Sequence, residues 1–267
     1  MDAQTYLEAY EQSARAVADL AAGRSAQEWA APTDCPGWSV ADQVAHVAAL
    51  EHQFAGDPLP PALPEYGPHV LNAYGEHMER GVVAYRRADP DQASQELHAV
   101  LDRRFAALRD APIDLAAETP GVLGQPVPWA RFLPVRCFDV WAHEQDIRLA
   151  LGRDVRFDGT SGRVALDSAL APLPMLVAKA AEVAAGTSVG FDVTGSPSAA
   201  VTVVVDAAGR GRAEPGLQPG TVACVRTDAA TLTRLICGRT DLTAAAVTVD
   251  GDQELGRRVL ASLTITP

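Results

Sequence analysis

A chain of 267 residues, 48% hydrophobic and 21% charged, can bury a real core in one large domain or two small ones, and it lacks the composition of a disordered protein. A formal charge of −12 argues against a nucleic-acid partner, because binding a phosphate backbone needs a local basic patch. Arg103, Arg104 and Arg109 do not supply one: interleaved with apolar residues at helical spacing, they read as a solvated helix face. Met1-Asp2-Ala3-Gln4 offers neither a basic start nor an apolar run, and no stretch approaches the ~18 apolar residues of a membrane span. With Cys35, Cys137, Cys224 and Cys237 widely spaced and no CxxC pair, a cytoplasmic protein with reduced thiols and no membrane partner is expected. Lys179 is the one lysine; with the abundance of Ala, Gly, Pro and Val this suggests a high-GC bacterial genome.

The first half reads as helices. From about Thr5 to Ala22, Tyr6, Leu7, Tyr10, Ala14, Val17 and Leu20 form one stripe. The cluster Pro32 to Trp38 is a turn, after which Ser39 is an N-cap with Asp42 at the capping-box position. The helix it starts turns Val40, Val44, Val47 and Leu50 inward and ends before Gly56-Asp57-Pro58. Further helices are predicted at about Pro68–Arg87, Gln92–Arg109 and Arg131–Leu151, with a Pro- and Gly-containing loop from Pro112 to Ala130 before the last of them. Residues 161–185 look like one more helix, kinked around Pro172 and Pro174. From about Gly186 the pattern turns β-rich, with strands at Ser188–Val193, Val201–Val205, Arg212–Glu214, Thr221–Arg226 and Val247–Val249. Helices at Asp228–Cys237 and Gln253–Ser262 complete the chain. The fold class expected is α+β: an up-down helical bundle over residues 1–155, then a small α+β domain over 156–267 that includes the connecting helix.

Asp139 and His143 stand four residues apart on the Arg131–Leu151 helix, so they project from one face about a turn apart. A third donor from a neighbouring helix would complete a metal site of the kind bundles build, and His46, set among the apolar residues of its helix, is the candidate. Two histidines and a carboxylate suit zinc and leave a coordination position open. His52, six residues on from His46, falls well off that face. By spacing alone the plainer reading prevails: D-x-x-x-H is common on helices, and a lone His on an apolar stripe is usually a core residue with a satisfied hydrogen bond.

A resemblance changes the balance. Cys35-Pro36-Gly37-Trp38-Ser39-Val40-Ala41-Asp42-Gln43-Val44-Ala45-His46-Val47 and Asp139-Val140-Trp141-Ala142-His143-Glu144-Gln145-Asp146-Ile147-Arg148 resemble the signatures of DinB-like helical bundles. In detail they look like the mycothiol-dependent maleylpyruvate isomerase branch. Leu235-Ile236-Cys237-Gly238-Arg239 and the run from Val247 to Leu260 are similar to that branch's sterol-carrier-like second domain. The resemblance puts His46, Asp139 and His143 on the family's three metal positions. The isomerase branch has Glu where this chain has Asp139, so the carboxylate here is one methylene shorter.

What the resemblance implies is a zinc enzyme that activates mycothiol for addition to an electrophilic small molecule, as an isomerase or S-transferase. Monomer and homodimer are both compatible with it. Asp146, on the Asp139 face, is expected to orient a ligand or accept a substrate donor, and Arg239 to bind a substrate carboxylate from the second domain. Arg148 points nearly opposite Asp139. Trp38 and Trp141 are candidates for pocket or core, and Cys35 reads as a small buried thiol. A zinc hydrolase using bound water, and a non-catalytic protein with an apolar cavity in its second domain, are the competing readings.

Overall fold

The computed structural model describes residues 1–110 and 112–265, and the chain divides into two compact units between Val164 and Ala165. That division falls later than the expected 155, inside a helix, because Val164 packs into the core of the first unit.

The first unit is a helical bundle, as the patterning predicts. Its long helices are α1 (Ala3–Ala21), α3 (Val40–Phe54), α4 (Ala73–Tyr85), α5 (Pro90–Asp110) and α6 (Trp129–Ala150), with a single turn α2 (Ala26–Trp29) after α1. α1 packs against α5 and α6, and α3 against α4, α5 and α6. Tyr10, Leu97, Leu101, Phe105, Leu133 and Ile147 are fully buried there, each such side chain contributing about 1.5–3 kcal/mol of transfer free energy.

Local chemistry sets where α3 begins. The Ser39 side chain accepts from the Asp42 N–H, and the Asp42 carboxylate accepts from the Ser39 N–H at 2.9 Å, a reciprocal capping box. The preceding turn closes through the Thr33 N–H on the Trp38 carbonyl at 3.0 Å. It needs Gly37, whose φ is +78° and whose absent Cβ would lie 2.5 Å from the His69 ring.

Three expectations are corrected. The helix predicted over 68–87 is shorter, because Asn72 caps it by accepting from the Gly75 N–H and Gly67–Val70 forms a turn of its own. The stretch read as loop holds a short antiparallel pair, β1 (Glu118–Pro120) with β2 (Pro126–Pro128). The helix predicted over 161–185 is three pieces: α7 (Gly159–Leu170), a turn α8 (Leu173–Met175) and a π-helical turn over Leu176–Ala180, interrupted where prolines lack the N–H a continuous helix requires.

The second unit is a five-stranded sheet of order β5-β4-β3-β6-β7, formed by β3 (Ser188–Thr194), β4 (Ala199–Val205), β5 (Gly211–Pro215), β6 (Ala223–Asp228) and β7 (Thr248–Gly251). β3 and β6 are parallel and the other pairs antiparallel. Alternation puts Val189, Phe191, Val193, Val203 and Val225 into the core with Leu232 and Ile236 of α9 (Ala229–Ile236) and Val259 of α10 (Gln253–Ala261). On the opposite face Arg226 bridges Asp192 at 2.8 Å and Asp250 at 3.0 Å across three strands.

Candidate metal centre

The structure brings together the three residues singled out by type and spacing. From α3, His46 directs Nε2 to 3.6 Å from Asp139 Oδ2; one turn along α6, His143 Nε2 lies 3.4 Å from Asp139 Oδ1. One donor atom from each residue falls within 4.8 Å of the others, and the two imidazole centroids are 4.4 Å apart. Both histidines are buried, whereas Asp139 is half-buried. His46 Nε2 is buried with no hydrogen-bond partner, although a buried polar atom is ordinarily satisfied. An inward-facing, unpartnered imidazole nitrogen beside a carboxylate and a second imidazole is the donor set of a divalent metal such as zinc, so these residues fit the ion. Burial opposes the charge on Asp139, but the adjacent His143 and His46 imidazoles outweigh it and hold the carboxyl well below the usual range.

Residues beyond the triad fix its geometry. Gln43, one turn before His46, accepts at Oε1 from His143 Nδ1 at 2.5 Å, which assigns the proton to Nδ1 and leaves the Nε2 lone pair toward Asp139. The Gln43 amide nitrogen in turn donates to Thr33 Oγ1 at 2.8 Å and Asp146 Oδ2 at 3.4 Å. Trp38 covers both imidazoles, with ring centroids 4.9 Å from His46 and 5.7 Å from His143, and its indole N–H donates to Glu79 of α4 at 3.0 Å. Tyr74, in the first turn of α4, is exposed overall at 40%, yet local desolvation and then the Asp139 charge push its hydroxyl up to about 12.

Asp146 is buried, with Oδ2 3.7 Å from His143 Nδ1. Arg239 lies in the second unit, just after α9, where its guanidinium donates to the Cys237 carbonyl at 3.0 Å. His52 is outside the triad, paired to Asp57 at 2.6 Å and stacked on Tyr85. Arg148 donates to the Asp154 carbonyl at 3.0 Å, and Trp141 to the Arg156 carbonyl at 3.1 Å. Cys35, expected buried, is only partly so in its turn.

Gln43, Glu51 and Arg136 are buried polar residues near the site that the sequence pattern does not mark. Arg136, one turn before Asp139 on α6, donates to Asp139 Oδ2. The signal for Gln43 and Glu51 is faint: polar residues on a helix so apolar that every position from Val40 to Glu51 is buried.

A cleft between α3 and α4 reaches His46, floored by Ala49, Leu50 and Met78 and lined by Gln53 and His77. His77 Nε2 meets Gln53 Oε1 at 2.9 Å, and Gln53 donates to the Val122 carbonyl of the β1–β2 loop at 2.6 Å. Burial, then Arg80, lowers the His77 pKa and favours the neutral ring.

Comparison with known proteins agrees with this fold. A search of curated proteins finds no sequence match. Among solved structures, a mycothiol-dependent maleylpyruvate isomerase is 17% identical with a TM-score of 0.56, and its alanine-for-histidine variant is 18% identical with a TM-score of 0.58. Each comparison covers 94% of this chain and 93% of the other, and at such identity the likeness is one of fold. The family described as the mycothiol maleylpyruvate isomerase N-terminal domain matches residues 10–148, more than half of the chain. With the two-unit fold and the His–Asp–His cluster already in place, that match shows that this chain belongs to the mycothiol maleylpyruvate isomerase family.

Proposed function

We propose that this chain is a metal-dependent enzyme of the maleylpyruvate isomerase type, using mycothiol as thiol cosubstrate against an electrophilic small molecule, as an isomerase or S-transferase. The observation that carries the reading is the buried, unpartnered Nε2 of His46 facing Asp139 and His143. Zinc at such a donor set supplies a Lewis acid that lowers the pKa of a thiol and so raises its nucleophilicity. The chain's own residues do the rest. Gln43 holds the His143 tautomer, with Asp146 behind it holding the Gln43 amide. Trp38, tied to Glu79, excludes water from the imidazoles. Arg239 is proposed as the cation that binds a substrate carboxylate, its planar fork suiting two-point recognition.

Elemental analysis of the purified full chain tests the metal first, with about one zinc per chain expected. Asp139→Ala should lower that content; unchanged zinc in the variant would remove Asp139 from the site. Turnover of cis-unsaturated diacids and simple alkylating electrophiles, with and without mycothiol, then tests the chemistry. Dependence on the thiol is expected. Turnover independent of it would favour a hydrolase using bound water, and ligand binding without metal would defeat both enzyme readings.

A further inference from the structure

Asp139 is the end of a buried polar chain that crosses three helices. Tyr10 of α1 donates to Glu51 Oε1 of α3 at 2.5 Å. Arg136 of α6 donates to the same oxygen through Nη2 at 2.6 Å and Nε at 3.2 Å, while its Nη1 donates to Asp139 Oδ2. Tyr10 and Glu51 are 0% exposed and Arg136 is 3% exposed. The guanidinium also lies over the Tyr10 and Phe54 rings, 5.6 and 5.8 Å from their centroids. Burial works against this cation, but the Glu51 and Asp139 carboxylates beside it outweigh that and it keeps its charge. For Tyr10, burial and then Glu51 raise the pKa, so the phenol stays a donor.

A guanidinium this deep is costly to desolvate, and Glu51 alone neutralises it. The extra bond to Asp139 is not needed for charge balance. Its effect is on Asp139, a short, half-buried carboxylate on an otherwise buried stretch of α6, whose Oδ2 it holds. Because Glu51 takes up the Arg136 charge, Asp139 keeps its own negative charge available.

We infer that Arg136, clamped by Glu51 and Tyr10, is a positioning residue for the metal site: it fixes Oδ2 of Asp139 so that Oδ1 faces His143, and this preorganisation sets the affinity for a divalent ion. The inference rests on the metal reading above. The other groups facing the guanidinium fit it, since the Tyr10 and Phe54 rings hold its plane without competing for Asp139.

Cobalt(II) titration of the full chain, read by its visible ligand-field bands and by competition with zinc, is the test, with folding followed by circular dichroism. The double variant Arg136→Met with Glu51→Met removes both charges and leaves none buried alone. Folded, it should bind cobalt about 10–100-fold more weakly than wild type, with altered band positions. Arg136→Lys keeps the charge but cannot bridge Glu51 and Asp139; it too should bind more weakly and shift the bands, whether or not the double variant folds. Wild-type affinity and bands in either folded variant would overturn the positioning role while leaving the metal reading intact. A wild-type chain that binds neither cobalt nor zinc would overturn both.

Discussion

Gln43 reaches the proposed ion only through His143. Its Oε1 accepts the hydrogen bond from Nδ1–H, and Asp146 Oδ2 lies 3.7 Å from the same nitrogen. Gln43→Leu, similar in size, is therefore expected to weaken zinc binding by about 10–100-fold, measured by equilibrium dialysis against a zinc chelator. Unchanged affinity would mean that the tautomer is held by Asp146 alone. Cys137 illustrates the opposite case, a chemically capable side chain made inert. Buried on α6, with its thiol on the Tyr6 carbonyl at 3.2 Å, it has its pKa pushed up to about 12 by burial. Iodoacetamide at pH 8 should label it at least ~100-fold more slowly than the half-buried Cys35, as peptide mass mapping would show. Equal rates would mean that the bundle opens readily around α6.

At the scale of elements, α3 and α4 carry the site and each has a local weak point. Ser39 begins the helix that holds Gln43, His46 and Glu51, and Ser39→Ala should lower stability by about 1 kcal/mol in urea unfolding. Loss well below that would mean that Asp42, also held by Arg86, carries the cap by itself. Gly81 permits the close approach of α4 to α3: a Cβ there would sit 2.7 Å from the Ala49 Cβ. Gly81→Val should therefore cost about 1–3 kcal/mol by overpacking, and should disturb the cleft beside His46. A neutral effect would show that α4 shifts freely on α3.

The same elements show what could be read in advance. The start of α3 was legible because Ser39 and Asp42 satisfy each other's neighbouring backbone within four residues. The start of α4 was not, since the apolar pattern runs on past a cap that depends on the Asn72 side chain accepting from Gly75. β1 and β2, three residues each with prolines among them, give no alternation to detect. The prolines near 172–174 were visible; that they end α7 outright, where a kink was expected, is seen only in the structure, which buries Leu173 and Val177 beyond the break, both 0% exposed.

For the whole molecule, an ion bound by the native chain and not by the unfolded one stabilises it by about 2.7 kcal/mol at a hundredfold excess over Kd. Saturating zinc is expected to raise the Tm of the wild type by about 5 °C or more and that of Asp139→Ala by much less, as calorimetry would record. An equal rise in both would place the ion elsewhere.

Sequence by itself determined the α+β class, the helix that carries Asp139 and His143 on one face, and the capped helix that carries His46, because these follow from periodicity and from hydrogen bonds between near neighbours. Only the tertiary structure decided that His46 meets Asp139, that Gln43 sets the His143 tautomer, and that Tyr10, Glu51 and Arg136 converge on the carboxylate. A polar side chain is informative when it is buried, and its burial depends on partners that the chain brings together from distant positions.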